Sequence, residues 1–288
     1  MDALLPEQRE LSALLRLLDD DTPEVRSVVV ARLNEFGGDI SEFLPGAVGD
    51  LSEAEEKLLS EILLPARRQA LRDEWLTPSF GSAAFGDDWD LFESHLRLLS
   101  DYLHDGLTLR QPLSDALDRL AEEAQERGVQ SADDLRVDLF EIQGFGPNAA
   151  GYYDPRNADL AWCIDHSHSN PIGLGVIYML LGHRLGFEIQ GVCFPGHFLC
   201  RIQENGYPFI VDCYDAGRSH RLDALTATPS ELSGEQRRAL QECADLGTIL
   251  LRILNNLIDA FQRKKQVEDA ALITALRDSM IRSRGAVS

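Results

Sequence analysis

The sequence predicts an α+β protein with helices at both ends and a small antiparallel sheet between them. Three observations carry this. Apolar residues recur at helical spacing through residues 1–139. Over residues 140–225 a Gly-, Asn- and Tyr-rich stretch leads into helix, strand, turn and strand. Helical spacing then returns over residues 226–288. The chain therefore divides into a helical N-terminal region, a mixed core and a C-terminal helical hairpin with those boundaries.

In the first region, the Asp-Thr-Pro-Glu run ending at Glu24 marks a helix start, with Pro23 in the first turn. Val25, Val28, Val29 and Leu33 follow at helical spacing. The pattern is similar to one HEAT-type hairpin, but no second copy follows, and a single unit cannot bury its own face. Residues 51–76 give another amphipathic helix, and 77–88 read as a loop by their Gly, Ser and Pro content. Leu91, His95, Leu96 and Leu99 define the next helix, and Leu113, Leu117 and Leu120 the one after it.

In the core, FEIQGFGPNAAGYYDPRN reads as an ordered irregular loop. NADLAWCID is a short helix. Pro171 then opens the helix IGLGVIYMLLGHRLG, where its missing N–H costs nothing. EIQGVCF, HFLCRIQ and FIVDCYD read as strands, with a turn over residues 204–208. At the C-terminal end, Leu250, Leu254, Leu257, Ile258 and Phe261 form one stripe. Ala271, Leu272, Ala275 and Leu276 form a second, a tetratricopeptide-like hairpin.

Composition narrows the partners. The chain carries 48 Asp and Glu against 27 Lys and Arg, a formal charge of −21, which repels phosphate backbones and argues against nucleic acid. No apolar run approaches the roughly 18 residues that span a bilayer, and the acidic N-terminus does not read as a signal peptide. Five cysteines without a C-x-x-C pair read as free thiols, which places the protein in a reducing cytoplasm.

The stretches GFGPN, YYDPRNADL, NPIGLGVIYMLLGHRLG, FPGHFLCRI and FIVDCYD together resemble the transglutaminase-like (papain-like) fold. More closely, they resemble a bacterial branch described as regulators of sirC expression, with transglutaminase-like and tetratricopeptide domains. The helical N-terminal half and RILNNLIDAF near the C-terminus fit that branch too. In catalytic relatives a cysteine at a helix N-terminus attacks an amide carbonyl, a histidine takes its proton and an aspartate orients the histidine. The resemblance places that histidine at His197 and that aspartate at Asp212. It places the cysteine at Pro171, fifteen residues before Gly186, and neither Asn170, Pro171 nor Ile172 is a nucleophile. The sirC-regulator branch is similarly cysteine-free but keeps Ser or Thr two residues later; here that position is Gly173.

The resemblance thus implies a degenerate triad and a regulatory protein that binds another protein through its cleft, with no cofactor. The competing reading is a cysteine-dependent amide hydrolase or transferase with a displaced nucleophile. Its candidates are Cys193, on the strand entering PGHF, and Cys163, on the apolar side of LAWCID. Cys200 and Cys213 are expected to face away from the His197–Asp212 pair by strand alternation. Tyr152, Tyr153, Arg156 and Asn157 either line the cleft beside Asn170 and Pro171, or Asp154, Arg156 and Asn157 tie the loop to itself. His166 and His168, with Cys163 and Asp165, are weak metal candidates lacking the partner spacing of a zinc site.

Overall fold

The computed structural model describes residues 6–18, 22–44, 51–227 and 232–282. The first five residues, Asp21 of the first helix start and residues 283–288 lie outside them. The chain forms two compact units: Met1–Leu76 with Asp101–Arg110, and Thr77–Ser100 with Gln111–Ser288.

The first unit contains helices α1 (Pro6–Arg16), α2 (Pro23–Asn34) and α3 (Glu53–Glu74). Pro23 opens α2 as its sequence predicts. Ser52 and Glu55 cap α3 reciprocally, satisfying two backbone donors at its start. The core is Leu11, Leu14, Val29, Leu33, Leu59 and Leu63. Val28, expected on the inner stripe of α2, is 62% exposed. At about 100° per residue, Val29 and Leu33 already occupy the inner face, and Val28 is turned off it.

The second unit begins with a 3-10 turn at Gly81–Ala84, inside the stretch expected to be loop. Helix α4 (Trp89–Leu103), whose last three residues fall in the first unit, and helices α5 (Leu113–Glu126) and α6 (Ala132–Arg136) follow. From α6 the chain continues as a π-helical turn over Val137–Ile142, so the irregular loop starts later than its composition implies. Helix α7 is Leu160–His166, and α8 is Pro171–Leu185. A two-residue parallel pairing joins β1 (Gly146–Pro147) to β2 (His168–Ser169).

The main sheet is antiparallel, in the order β3 (Ile189–Val192), β4 (Leu199–Glu204), β5 (Tyr207–Asp212), β6 (Arg218–Arg221). Asn205 and Gly206, both at positive φ, make the two-residue turn between β4 and β5, the geometry that matches strand twist. Helices α9 (Leu222–Thr226), α10 (Gly234–Gln241), α11 (Leu246–Arg263) and α12 (Val267–Arg282) complete the unit.

Helix α8 is buried on every side from Pro171 to Gly182, which is why its sequence is apolar all round. It lies between α5 and the sheet. Its glycines allow that close fit: a Cβ on Gly175 would meet the Phe198 ring at 2.6 Å, and one on Gly182 would strike Ile189. The fully buried Tyr178 donates its hydroxyl to Ala132 O at 2.6 Å, and burial pushes its pKa well above the ordinary value. Gly186, left-handed at φ 76°, ends the helix.

The α11 stripe is buried as expected, from Leu250 to Phe261. On α12, Ala271 and Ala275 are exposed, while Ala270, Leu272, Ile273, Leu276 and Met280 are buried. Larger side chains hold the inner face there and the two alanines fall outside it. Among the described residues no helix is long and apolar enough to cross a membrane.

Candidate functional site

A cavity of about 200 Å³ opens at the N-terminus of α8. Asn170 caps that helix, its Oδ1 accepting the Gly173 N–H at 2.9 Å, and Pro171 stands at the first helical position. Gly173 packs against Ser169 Oγ and, by a hypothetical Cβ at 2.9 Å, the Asn157 carbonyl, so a side chain there would collide with the loop beneath.

His197 lies in the bend before β4, with Gly196 at φ 73° turning the chain. Its Nε2 is 2.9 Å from both oxygens of Asp212, the last residue of β5. An ionised carboxylate only accepts, so Nε2 donates and Nδ1 is left as the acceptor of the neutral ring. Burial pushes the Asp212 carboxyl up, but the His197 bond and the Tyr214 and Asp215 N–H groups outweigh it and hold its pKa down. Arg252, on α11, fixes the bend by donating Nη2 to Phe194 O at 2.9 Å and to His197 O at 2.5 Å.

The cavity wall brings together His197, Asn170, Pro171, Tyr152, Tyr153 and Asn157. Arg156 is not in that wall. It pairs with Asp154 and lies over the Trp162 ring at 4.8 Å. Asn157 is buried and fully used, donating to Gly151 O and Tyr152 O and accepting from Asn148, so it ties the loop as well as lining the cleft. Asp154 accepts from Arg156 N and Lys264 Nζ; burial pushes its carboxyl up, yet these bonds bring its pKa down to about 2.

No cysteine, serine or threonine is among the described residues lining the cavity. Cys163 is fully buried, with Sγ 3.2 Å from Ser169 Oγ and 3.6 Å from Asn157 O. Cys193 is partly exposed and outside the wall. Cys200 and Cys213 are buried together, sulfurs 3.8 Å apart, with Cys200 against Gly175 O. Burial pushes the Cys213 thiol well up, the opposite of what a nucleophile needs. His166 and His168 pack around Trp162, their ring centroids 5.8 Å apart. Among the described residues no three His, Cys, Asp or Glu side chains cluster as metal ligands.

Four contributors escaped the sequence reading. Tyr214 sets its ring edge-on to Tyr152 and His197. Arg252, Asn256 and Asp259 reach the cavity from α11. Their signal was present: polar residues at i, i+4 and i+7 interrupt an apolar helix on one line.

Residues 111–255, just over half of the chain, match the transglutaminase-like superfamily, and the chain belongs to it. The match spans α8, the sheet and the first half of α11. Among curated proteins it is similar to a "UPF0162 protein" of Xylella fastidiosa, 37% identical over 46% of this chain and 50% of the relative. A second strain's "UPF0162 protein" is 36% identical over the same shares. A "UPF0162 protein" of Vibrio cholerae serotype O1 is 32% identical over 31% of this chain and 36% of that relative. The chain spans about half the length, or less, of the curated relatives it matches. No solved structure matches it.

Proposed function

We propose that the chain is a cytoplasmic, non-catalytic transglutaminase-like protein that holds a segment of another protein in the cleft beside His197. It acts as a regulatory module, in line with its resemblance to the sirC-regulator branch. The observation that carries this reading is the cleft wall. His197, paired with Asp212, lines one cavity with the helix start at Pro171, and among the described residues no thiol or small hydroxyl lines it. Nucleophilic acyl transfer needs such a group within hydrogen-bond reach of the base.

Without a nucleophile, His197–Asp212 serves as a charge-assisted tie between the bend before β4 and the end of β5. That tie keeps the cleft open and shaped, and the surrounding tyrosines supply rigid contact area at low entropic cost. The test is ammonia release from a glutamine-containing peptide in the presence of a primary amine. None above the buffer rate is expected. Release that disappears in both His197→Ala and Cys193→Ala would instead establish the displaced-nucleophile enzyme.

A further inference from the structure

The cleft is unevenly charged. Among the described residues both carboxylates that line it are countered: Asp154 by Arg156 and Lys264, and Asp259 by Arg263 at 2.7 Å. Arg252 is different. Its Nη2 is held by two backbone carbonyls, and among the described residues it pairs with no carboxylate, in a chain with 48 acidic residues against 27 basic ones. An arginine spared by that many acids, and fixed by main-chain oxygens at a cavity wall, is a presented cation with unused N–H donors.

Part of the wall beside it is apolar, among polar residues such as Asn170, Asn256 and Tyr152. Ile172, Phe198, Ile253, Leu257 and Ala260 line the same space, and the positive end of α8 opens onto it. We infer that the occupant of the cleft is the C-terminal residue of a partner protein: its free carboxylate pairs with Arg252 and its apolar last side chain fills the cavity. An internal acidic side chain satisfies the charge but leaves that wall facing only methylenes. A chain end supplies both chemistries from a single residue. The cavity volume, about 200 Å³, is below the ~300–1,000 Å³ of drug-sized pockets and suits one side chain.

This rests on the protein-segment reading above, and the experiment separates the two. A pool of short synthetic peptides with leucine, isoleucine or phenylalanine at the last position is made half as free acids and half as C-terminal amides of distinguishable mass. The pool is incubated with the full chain, and bound peptides are counted by mass spectrometry. Free acids are expected to be enriched about tenfold or more. That enrichment should vanish in Arg252→Met, be partly restored in Arg252→Lys, and weaken with salt. Equal recovery of acids and amides overturns the carboxylate inference while leaving peptide binding intact. Recovery of neither overturns both. Because acids and amides compete on the unaltered protein, the result stands even if Arg252→Met fails to fold.

Discussion

The His197–Asp212 pair in the second unit and the His104–Asp39 pair in the first share a chemistry and differ in surroundings. His104 is only 7% exposed, with Nδ1 3.1 Å from Asp39 Oδ2. Its Nε2 is 3.2 Å from Asp105 Oδ1, close enough for an ion pair but without hydrogen-bond alignment. Beside it the buried Arg67 donates to the carbonyls of Gly38, Asp105 and Ser60. Gly38 and Gly106 make room for that guanidinium at positive φ, and a Cβ on either would run into Arg67. That histidine is walled in by protein. His197 is 25% exposed, shares one nitrogen with Asp212 and turns toward a cavity. A histidine–carboxylate pair is therefore no mark of catalysis by itself; what the second nitrogen faces decides its use.

The comparison breaks first at Arg67. Replacing it with Met removes the charge from a site where burial already pushes the guanidinium pKa down to about 10, and takes away the donor to the Gly38, Asp105 and Ser60 carbonyls. Urea unfolding followed by circular dichroism should show a loss of about 3 kcal/mol. A change within experimental error would mean that the node holds nothing together.

Asp212→Asn should cost less, about 1 kcal/mol, because the pair is partly solvated and the amide still accepts a hydrogen bond. The folded pKa of Asp212 is depressed, so its contribution is present above the unfolded value and fades as pH falls through the folded one. The gap between wild type and variant, measured by thermal melts, should close in acid. A gap that widens in acid would reverse the sign assigned to Asp212.

Smallest is Asp154→Asn at the cleft rim, also about 1 kcal/mol or below, since Lys264 and Arg156 are both substantially exposed. With a folded pKa of about 2, its contribution should persist at pH 5 and drain away between about pH 4 and pH 2. Melts across that range would show it, and a difference that is flat with pH would exclude the ion pair.

Much of this was legible because it rests on local chemistry. Pro23 and Pro171 mark helix starts by lacking an N–H, and the turn over residues 204–208 marks the hairpin. His197 and Asp212 were found by resemblance, and the structure brings them within hydrogen-bond distance. What stayed hidden depends on distant partners. Arg67 falls within the amphipathic helix read over residues 51–76, and nothing local shows that it is buried against the backbone at Gly38 and Asp105. The π-helical turn at Val137–Ile142 has no local signature. Arg252 gained meaning only when the PGHF bend was seen to fold beneath it.

The central claim is that the cleft keeps a base and its orienting carboxylate but lacks a nucleophile. Iodoacetamide labelling at neutral pH, read residue by residue by mass spectrometry, tests it most directly in wild type, His197→Ala and Pro171→Cys. Wild type and His197→Ala should label alike and slowly. Pro171→Cys should gain a thiol that reacts faster than a free cysteine of pKa ~8.5, and that loses the excess when His197→Ala is added. Rapid labelling of Cys193 or Cys163 in wild type, abolished by His197→Ala, would contradict the account and identify the missing nucleophile.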